Sequence, residues 1–462
     1  MISIETLEIK SLADYDRISG IVNDGLYVNQ TLIDEIKGRI GQRAKRIVIE
    51  SPYSDLDYNS VYSSFYSKQH KERPKDCYRL HFFSEETFEI KDYRGFLVLR
   101  PSYIGRSMGR GQLDPRLLLD PGSAFIMQSS GFIANLGGER YNVSSFPWMA
   151  QETDISICAH SATWSIVRYF SQKYSHYQQQ TLDDIVRLAP PFLNRKVPSD
   201  GLNFLQISSI LSQAGFHCLF LSNDIQGADK VKEHLRVYIE SGIPIIGGIK
   251  RTQHAVVLAG HGPVDYSKLP PAGGNRVLSS SLIDSLIAVD DNYLPYLEVG
   301  LADTPGGYNV DDIDYAIVPL YEKMFLPADI ILSRVTSFID NGGLGAADSQ
   351  VLRPYLTSSR SLKARAAISA DMPDGLVDTI LSVEMPKFVW CVDIGSVDEY
   401  RNNLCSSRII IDSTAGTYDT NPWILAHNDN MIIYYDRTDA SWRNRAQAIA
   451  PYPLYRNNLK EV

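Results

Sequence analysis

The stretch Gln151–Phe170, QETDISICAHSATWSIVRYF, decides how this chain is read. A Gln stands seven positions before a Cys, and apolar residues then recur at helical spacing: Ala159, Ala162, Ile166 and Tyr169 or Phe170. The pattern predicts a helix from about Ser156 to Gln172, with Cys158 near its N-terminus. Unpaired backbone N–H groups and the positive end of the helix dipole favour an anion there, which draws a thiol toward thiolate. A lone Cys is otherwise a buried structural residue. The small neighbours Ala159, Ser161 and Ala162 argue against that, because they leave room for a substrate backbone.

Working outward, His254 opens an apolar strand, HAVVLAG, and Asp290 closes a later one, SLIAVDD. If the two pair antiparallel, the start of one lies beside the end of the other. Asp290 then holds the His254 imidazole in one tautomer and stabilises its charged form. Asp291 and Asn292 compete for this role, since a one-residue slip inverts the faces and both strands are apolar on both faces. Gln151 can donate its side-chain amide to a developing oxyanion, with the Cys158 N–H as second donor. His160 points away from Cys158 on a helix, and His261, between Gly260 and Gly262, reads as a turn residue. Cys158, His160 and His254 lack a recognised ligand spacing, so neither metal nor cofactor is expected. The candidate catalytic set is Cys158, His254, Asp290 and Gln151, a thiol nucleophile with its base, orienting group and oxyanion donor.

The surrounding pattern is α+β. A helix over about Leu202–Gln213, capped by Ser199 or Asp200, ends at Gly215, and the strand FHCLFL follows. A helix over about Asp229–Ser241 ends at Gly242, and the strands IPIIGGI, HAVVLAG, SLIAVDD and DYAIVPL come after it. Helices first and antiparallel strands afterwards separate this pattern from an alternating α/β one. PVDYSKLPPAGGNRVLSS reads as a loop-like insertion between the His and Asp strands.

Three regions are expected: 1–145, α+β or mostly β; 146–322, the domain carrying the candidate site; and 323–462, α+β. The first holds RIVIE, YRLHFF, GFLVLRP and SAFIMQ as strand-like runs, with Tyr58, Tyr62 and Tyr66 on one helix face. The last opens on a helical run, DIILSRVTSFIDNGG, and continues with KFVWCVDIG, RIIIDST and MIIYYD as strands. Its tail, APYPLYRNNLKEV, is expected to be poorly ordered.

A chain of 462 residues exceeds one ordinary core, and 44% hydrophobic with 21% charged residues is globular composition. A net charge of −9 argues against a nucleic-acid surface spread over the molecule, and the arginines between Arg94 and Arg116 read as a solvated loop. The N-terminal sequence shows no secretory signal, and no run approaches the ~18 apolar residues of a membrane helix. Five scattered cysteines without CxxC pairs suit a reducing compartment, so a cytoplasmic setting is expected.

From Gln151 to Asp290 the sequence resembles papain-fold cysteine peptidases, most of all the bacteriocin-leader-processing (double-glycine leader) peptidases, here within a multidomain bacterial protein. The matching text is Gln151, CAHSA, DGLNFLQISSILSQAGFHCLFL, GIPIIGGIKRTQHAVVLAGH and IAVDDN. At the nucleophile this chain has Ile157-Cys158-Ala159 where that family carries Asp-Cys-Gly. The resemblance implies a papain-like domain with Cys158 as nucleophile, His254 as base, Asp290 as orienting group and Gln151 as oxyanion donor. The expected activity is that of a thiol peptidase or isopeptidase acting on a protein or peptide substrate. Acyl transfer, transamidation or deamidation on the same thioester is the alternative, as is a non-catalytic binding module on the same fold.

Overall fold

Three large sheets and the helices packed on them absorb most of the apolar runs in the computed structural model, which describes residues 2–103, 106–120, 124–152, 158–190, 201–271, 275–344, 350–457 and 459–461. The chain is α+β. The first sheet is antiparallel and runs in the order Ser3–Glu8, Arg46–Tyr53, Cys77–Phe83, Tyr93–Leu99, Met108–Leu113 and Trp148–Met149. Tyr58 and Tyr62 lie on the helix Leu56–Ser64, and Tyr66 follows it. Tyr58 and Tyr66 are buried.

Arg106 and Arg116 of this region are exposed, as a solvated loop requires, but Arg100 and Arg110 are not. Arg100 and Arg110 meet acidic partners in the interior, Arg100 with Glu152 at 2.8 Å and Arg110 with Asp55 at 2.7 Å. Burying a guanidinium requires such a partner, and the acidic residues come from distant parts of the chain.

The central sheet is ordered Phe216–Ser222, Tyr315–Tyr321, Ile245–Ile249, His254–His261, Leu286–Val289 and Leu297–Val299, all antiparallel. The helix Cys158–Lys173 packs across it. This helix is buried around almost its whole circumference, beyond the single stripe read from periodicity, because the N-terminal region covers its outer side. There the Trp164 indole donates to Asp57 Oδ1 at 2.9 Å, while Phe170 meets Phe216 and Tyr321 on the sheet side.

The next helix is Phe204–Gln213, capped by Asn203, whose side chain accepts from Gln206 N. Ser199 and Asp200, the caps read from sequence, lie outside the described residues. The third helix is Ala228–Glu240. Gly215 and Gly242 take φ of 96° and 73°, the left-handed conformation that ends a helix.

The third sheet joins Val277–Leu278, Gln350–Ser358, Phe388–Ser396, Ser407–Asp412, Trp423–His427, Met431–Asp436 and Ser441–Ala446. Part of the supposed loop insertion is thus a strand, Val277–Leu278, parallel to Gln350–Ser358. Two further strands cross the expected region boundaries. Ile126–Gln128 and Leu459–Glu461 pair with each other, and the first also joins His254–His261. The tail is therefore held. Tyr452–Pro453 pairs with Leu404–Cys405, Tyr452 is buried beside His427, and the Asn457 amide donates to the carbonyls of Ser241 and Leu356.

His261 is likewise no turn residue. It ends its strand buried, with Nε2 2.6 Å from Glu240 Oε1. Glu240 also meets Arg353 of the third sheet at 2.6 Å, so a buried charged chain ties the two sheets together. Among the described residues no helix is long and apolar enough to cross a membrane.

Candidate active site

Cys158 is the first residue of its helix and is partly exposed. His254 is brought to it by the hairpin Ile245–Ile249/His254–His261, whose turn is Lys250–Gln253. That turn is tight: Gln253 has φ of 50°, and Lys250 N donates to Asp314 Oδ2 at 2.8 Å, which fixes where the returning strand begins.

The register then selects the carboxylate. Val257 pairs with Val289 and Leu258 with Ala288. Extending this pairing sets Val256 across from Asp290 and His254 across from Asn292. Cross-strand partners share a face, so 254, 290 and 292 point the same way. His254 Nε2 lies 2.9 Å from Asp290 Oδ1 and 3.7 Å from Asp291 Oδ1. Cys158 and His254 line the same cleft, and the thiol helps to raise the affinity of the imidazole for its second proton.

Asp290 is fully buried and well held. The Tyr308 hydroxyl donates to Oδ2 at 2.8 Å, the Asn292 N–H donates to Oδ1 at 2.9 Å, and the Trp148 indole donates to its backbone carbonyl at 2.7 Å. Burial alone would raise the pKa of this carboxyl. The bond to His254, the charge of His254 and the donors from Asn292 and Tyr308 outweigh it and hold the group below the usual range. The same pairing acts in reverse on His254. Burial opposes its charge, but the bonds to Asp290 and Cys158, with the nearby Asp290 and Asp291 charges, raise it to about 10. Asp291 differs: burial pushes its carboxyl up to about 7, and neither of its oxygens has a hydrogen-bond partner among the described residues.

Gln151 reaches the site through Asn292. Its amide donates to Asn292 Oδ1 at 2.9 Å, Arg106 donates to the same oxygen at 2.5 Å, and Asn292 Nδ2 is 3.3 Å from His254 Nε2. Cys158, His254 and Asp290 are thus brought together, and Gln151 stands behind Asn292 with its amide committed. Residues 153–157, between Gln151 and the thiol, lie outside the described residues. His160 does not compete for the thiol. It is buried inside the helix packing, and burial lowers its pKa to about 4.

Sequence reading missed Tyr308, Arg106 and Arg100. Arg100 donates to the Gln151 carbonyl at 2.6 Å and binds Glu152, onto which Tyr66 also donates. Arg100 and Tyr66 thereby hold Gln151 and Glu152 in place. The only sequence signal was an arginine-rich stretch, which does not show which acids pair with it.

The thiol and imidazole open onto a cleft of about 470 Å³. One flank is apolar, formed by Leu202, Phe204, Ile207 and Tyr315, and Lys250 and Gln253 lie at another side. The Phe204 and Tyr315 rings meet edge-on at 3.8 Å between centroids. Gly248 permits this, since a Cβ there would sit 1.8 Å from the Tyr315 ring. The carboxylate oxygens of Asp290 and Asp291 and a ring nitrogen of His254 all lie within 4.8 Å of one another, a spacing open to a metal ion. No family model, curated protein or solved structure matches this chain.

Proposed function

We propose that this chain is a thiol-dependent hydrolase with a papain-like arrangement, cutting peptide or isopeptide bonds in a protein or peptide substrate. The observation that carries the reading is one imidazole that shares a cleft with a thiol at a helix N-terminus and is bonded to a buried, triply held carboxylate. This is the company a cysteine nucleophile needs. The raised affinity of His254 for its second proton keeps the imidazole charged beside Cys158 at neutral pH.

The thiolate adds to the substrate carbonyl carbon, and the oxygen takes up the negative charge. The Cys158 N–H and the Gln151 amide, once turned from Asn292, are the donors for that oxyanion. The imidazolium passes its proton to the leaving nitrogen, and the C–N bond breaks to leave a thioester on Cys158. Water then gives a proton to His254 while its oxygen attacks the thioester, which releases the acid and restores the thiol. The open cleft with an apolar flank suits an extended peptide bearing a bulky apolar side chain. A chain with five free cysteines suits a reducing, cytoplasmic setting.

The test is labelling with an electrophilic thiol probe followed by peptide mapping. Burial raises the pKa of Cys218 to about 11 and of Cys391 to about 12, and it also pushes Cys77 and Cys405 up. Label at pH 7 is therefore expected on Cys158, slowed in His254→Ala and absent in Cys158→Ser. Equal labelling of Cys218 would remove the nucleophile assignment.

A further inference from the structure

The Nε2 edge of the His254 ring carries more acid than a single orienting group requires. Asp290 already holds Nε2. Asp291 adds a second carboxylate 3.7 Å from the same nitrogen, 5% exposed, with neither oxygen hydrogen-bonded among the described residues. A buried carboxylate is ordinarily paired or binds a cation. Mere proximity of acids would say little, but here a buried carboxylate without a hydrogen bond among the described residues faces an imidazole nitrogen at ion-pair distance.

We propose that His254, Asp290 and Asp291 form an inhibitory site for a divalent transition-metal ion of the zinc class. An ion with four ligands at about 2.0–2.1 Å spaces them about 3.3–3.4 Å apart. The separations from Nε2, 2.9 and 3.7 Å, bracket that value. An imidazole with two carboxylates selects zinc-class ions over magnesium or calcium, which prefer oxygen alone.

Binding exchanges a proton for the ion. The ion takes the lone pair of Nε2, the proton there leaves to solvent, and Asp291 also releases its proton where it carries one. Affinity therefore rises with pH. The ring keeps a single proton on Nδ1 and could lose it only as imidazolate, so it no longer shuttles protons for Cys158. That consequence rests on the hydrolase reading; the binding itself does not.

The test is calorimetric titration of ZnCl₂ into the full chain carrying Cys158→Ala, and into the same chain with Asp291→Asn. Saturable binding of one ion is expected in the first, weakened at least about tenfold in the second. Undiminished affinity in the Asp291→Asn chain, or no saturable binding in Cys158→Ala, overturns the proposal. The unsubstituted chain loaded with Co²⁺ gives a second readout that needs no variant. Visible d–d bands without a thiolate-to-cobalt charge-transfer band are expected; that band would assign the ion to Cys158 instead and sink the site. Because neither measurement uses turnover, an inactive protein that still binds the ion would fail the hydrolase reading alone.

Discussion

Asp290 Oδ1 receives His254 Nε2 at 2.9 Å and the Asn292 N–H at 2.9 Å, so the carboxylate that orients the imidazole is itself oriented by the turn that follows its strand. The neighbouring Asp291 has no such support. The two acids therefore differ in what their removal does.

Asp290→Ala is expected to lower kcat/KM by about 10²–10⁴-fold, because the base loses its orienting group and the stabiliser of its charge. Asp291→Asn is expected to cost less than about tenfold, since Asp291 contributes only charge at longer range. Steady-state kinetics of the two variants on one substrate decide it. A larger loss in Asp291→Asn would move the orienting role to that residue.

The raised pKa of His254 ties stability to pH. In the folded chain the imidazole keeps its second proton up to about 10, against an ordinary value of 6.5. The folded state thus binds more protons than the unfolded one between these values, and stability falls as pH rises through the window. The contribution is fully present below 6.5 and lost by about 10. Asp290 supplies the acid limb: its depressed pKa stabilises the fold above the ordinary 3.8 and ceases to as pH falls below its folded value. Urea midpoints of wild type and His254→Gln should differ most at or just below pH 6.5 and converge toward pH 10. A constant gap across that range would show that the imidazole is not held as its cation.

Arg100 acts on Gln151 from outside the cleft. It ties the Gln151 carbonyl to the buried Glu152 carboxylate, so it is a positioning residue. Arg100→Met leaves Glu152 short of its main partner, and breaking a buried pair this way costs about 3–5 kcal/mol of stability. Arg100→Lys keeps a charge for Glu152 but lacks the fork that reaches the Gln151 carbonyl at the same time. The lysine variant should regain much of the stability and little of the kcat, with KM nearly unchanged. Recovery of both together would reduce Arg100 to a structural role.

The parts of the site that sequence made legible are those with local signals. Periodicity marks the Cys158 helix, and continuous apolar runs mark the His254 strand and the strand before Asp290. What decided between Asp290 and Asp291 was register, and two strands apolar on both faces carry no register information. Tyr308, Trp148 and Arg106 were illegible for another reason. Each reaches the site from a separate segment, and hydrogen-bond partners distant in sequence leave no spacing to read. Ile126–Gln128 was legible as a strand within SAFIMQ, but its pairing with Leu459–Glu461, which links both flanking regions to the central sheet, joins segments too distant in sequence to read.

Gln151 is where geometry and chemistry are furthest apart in this state. Its amide donates to Asn292 Oδ1, an oxygen that also accepts from Arg106. An oxyanion next to the Cys158 N–H is a stronger acceptor than a neutral amide oxygen, and Arg106 remains to hold Asn292 when Gln151 turns away. The donor then matters in the transition state and hardly in the ground state, so Gln151→Ala is expected to lower kcat by about 10²–10³-fold with KM little changed. Gln151→Glu should be at least as damaged, because it sets a carboxylate against the developing negative charge. Glu152 and Trp148 of the same lead-in are already engaged, Glu152 with Arg100 and Trp148 with the Asp290 carbonyl, so neither is free to take the place of Gln151. Kinetics of both variants, with thermal unfolding to confirm an intact fold, make the comparison. Near-normal turnover in both would take Gln151 out of the site and leave the Cys158 N–H to be joined by a donor from elsewhere.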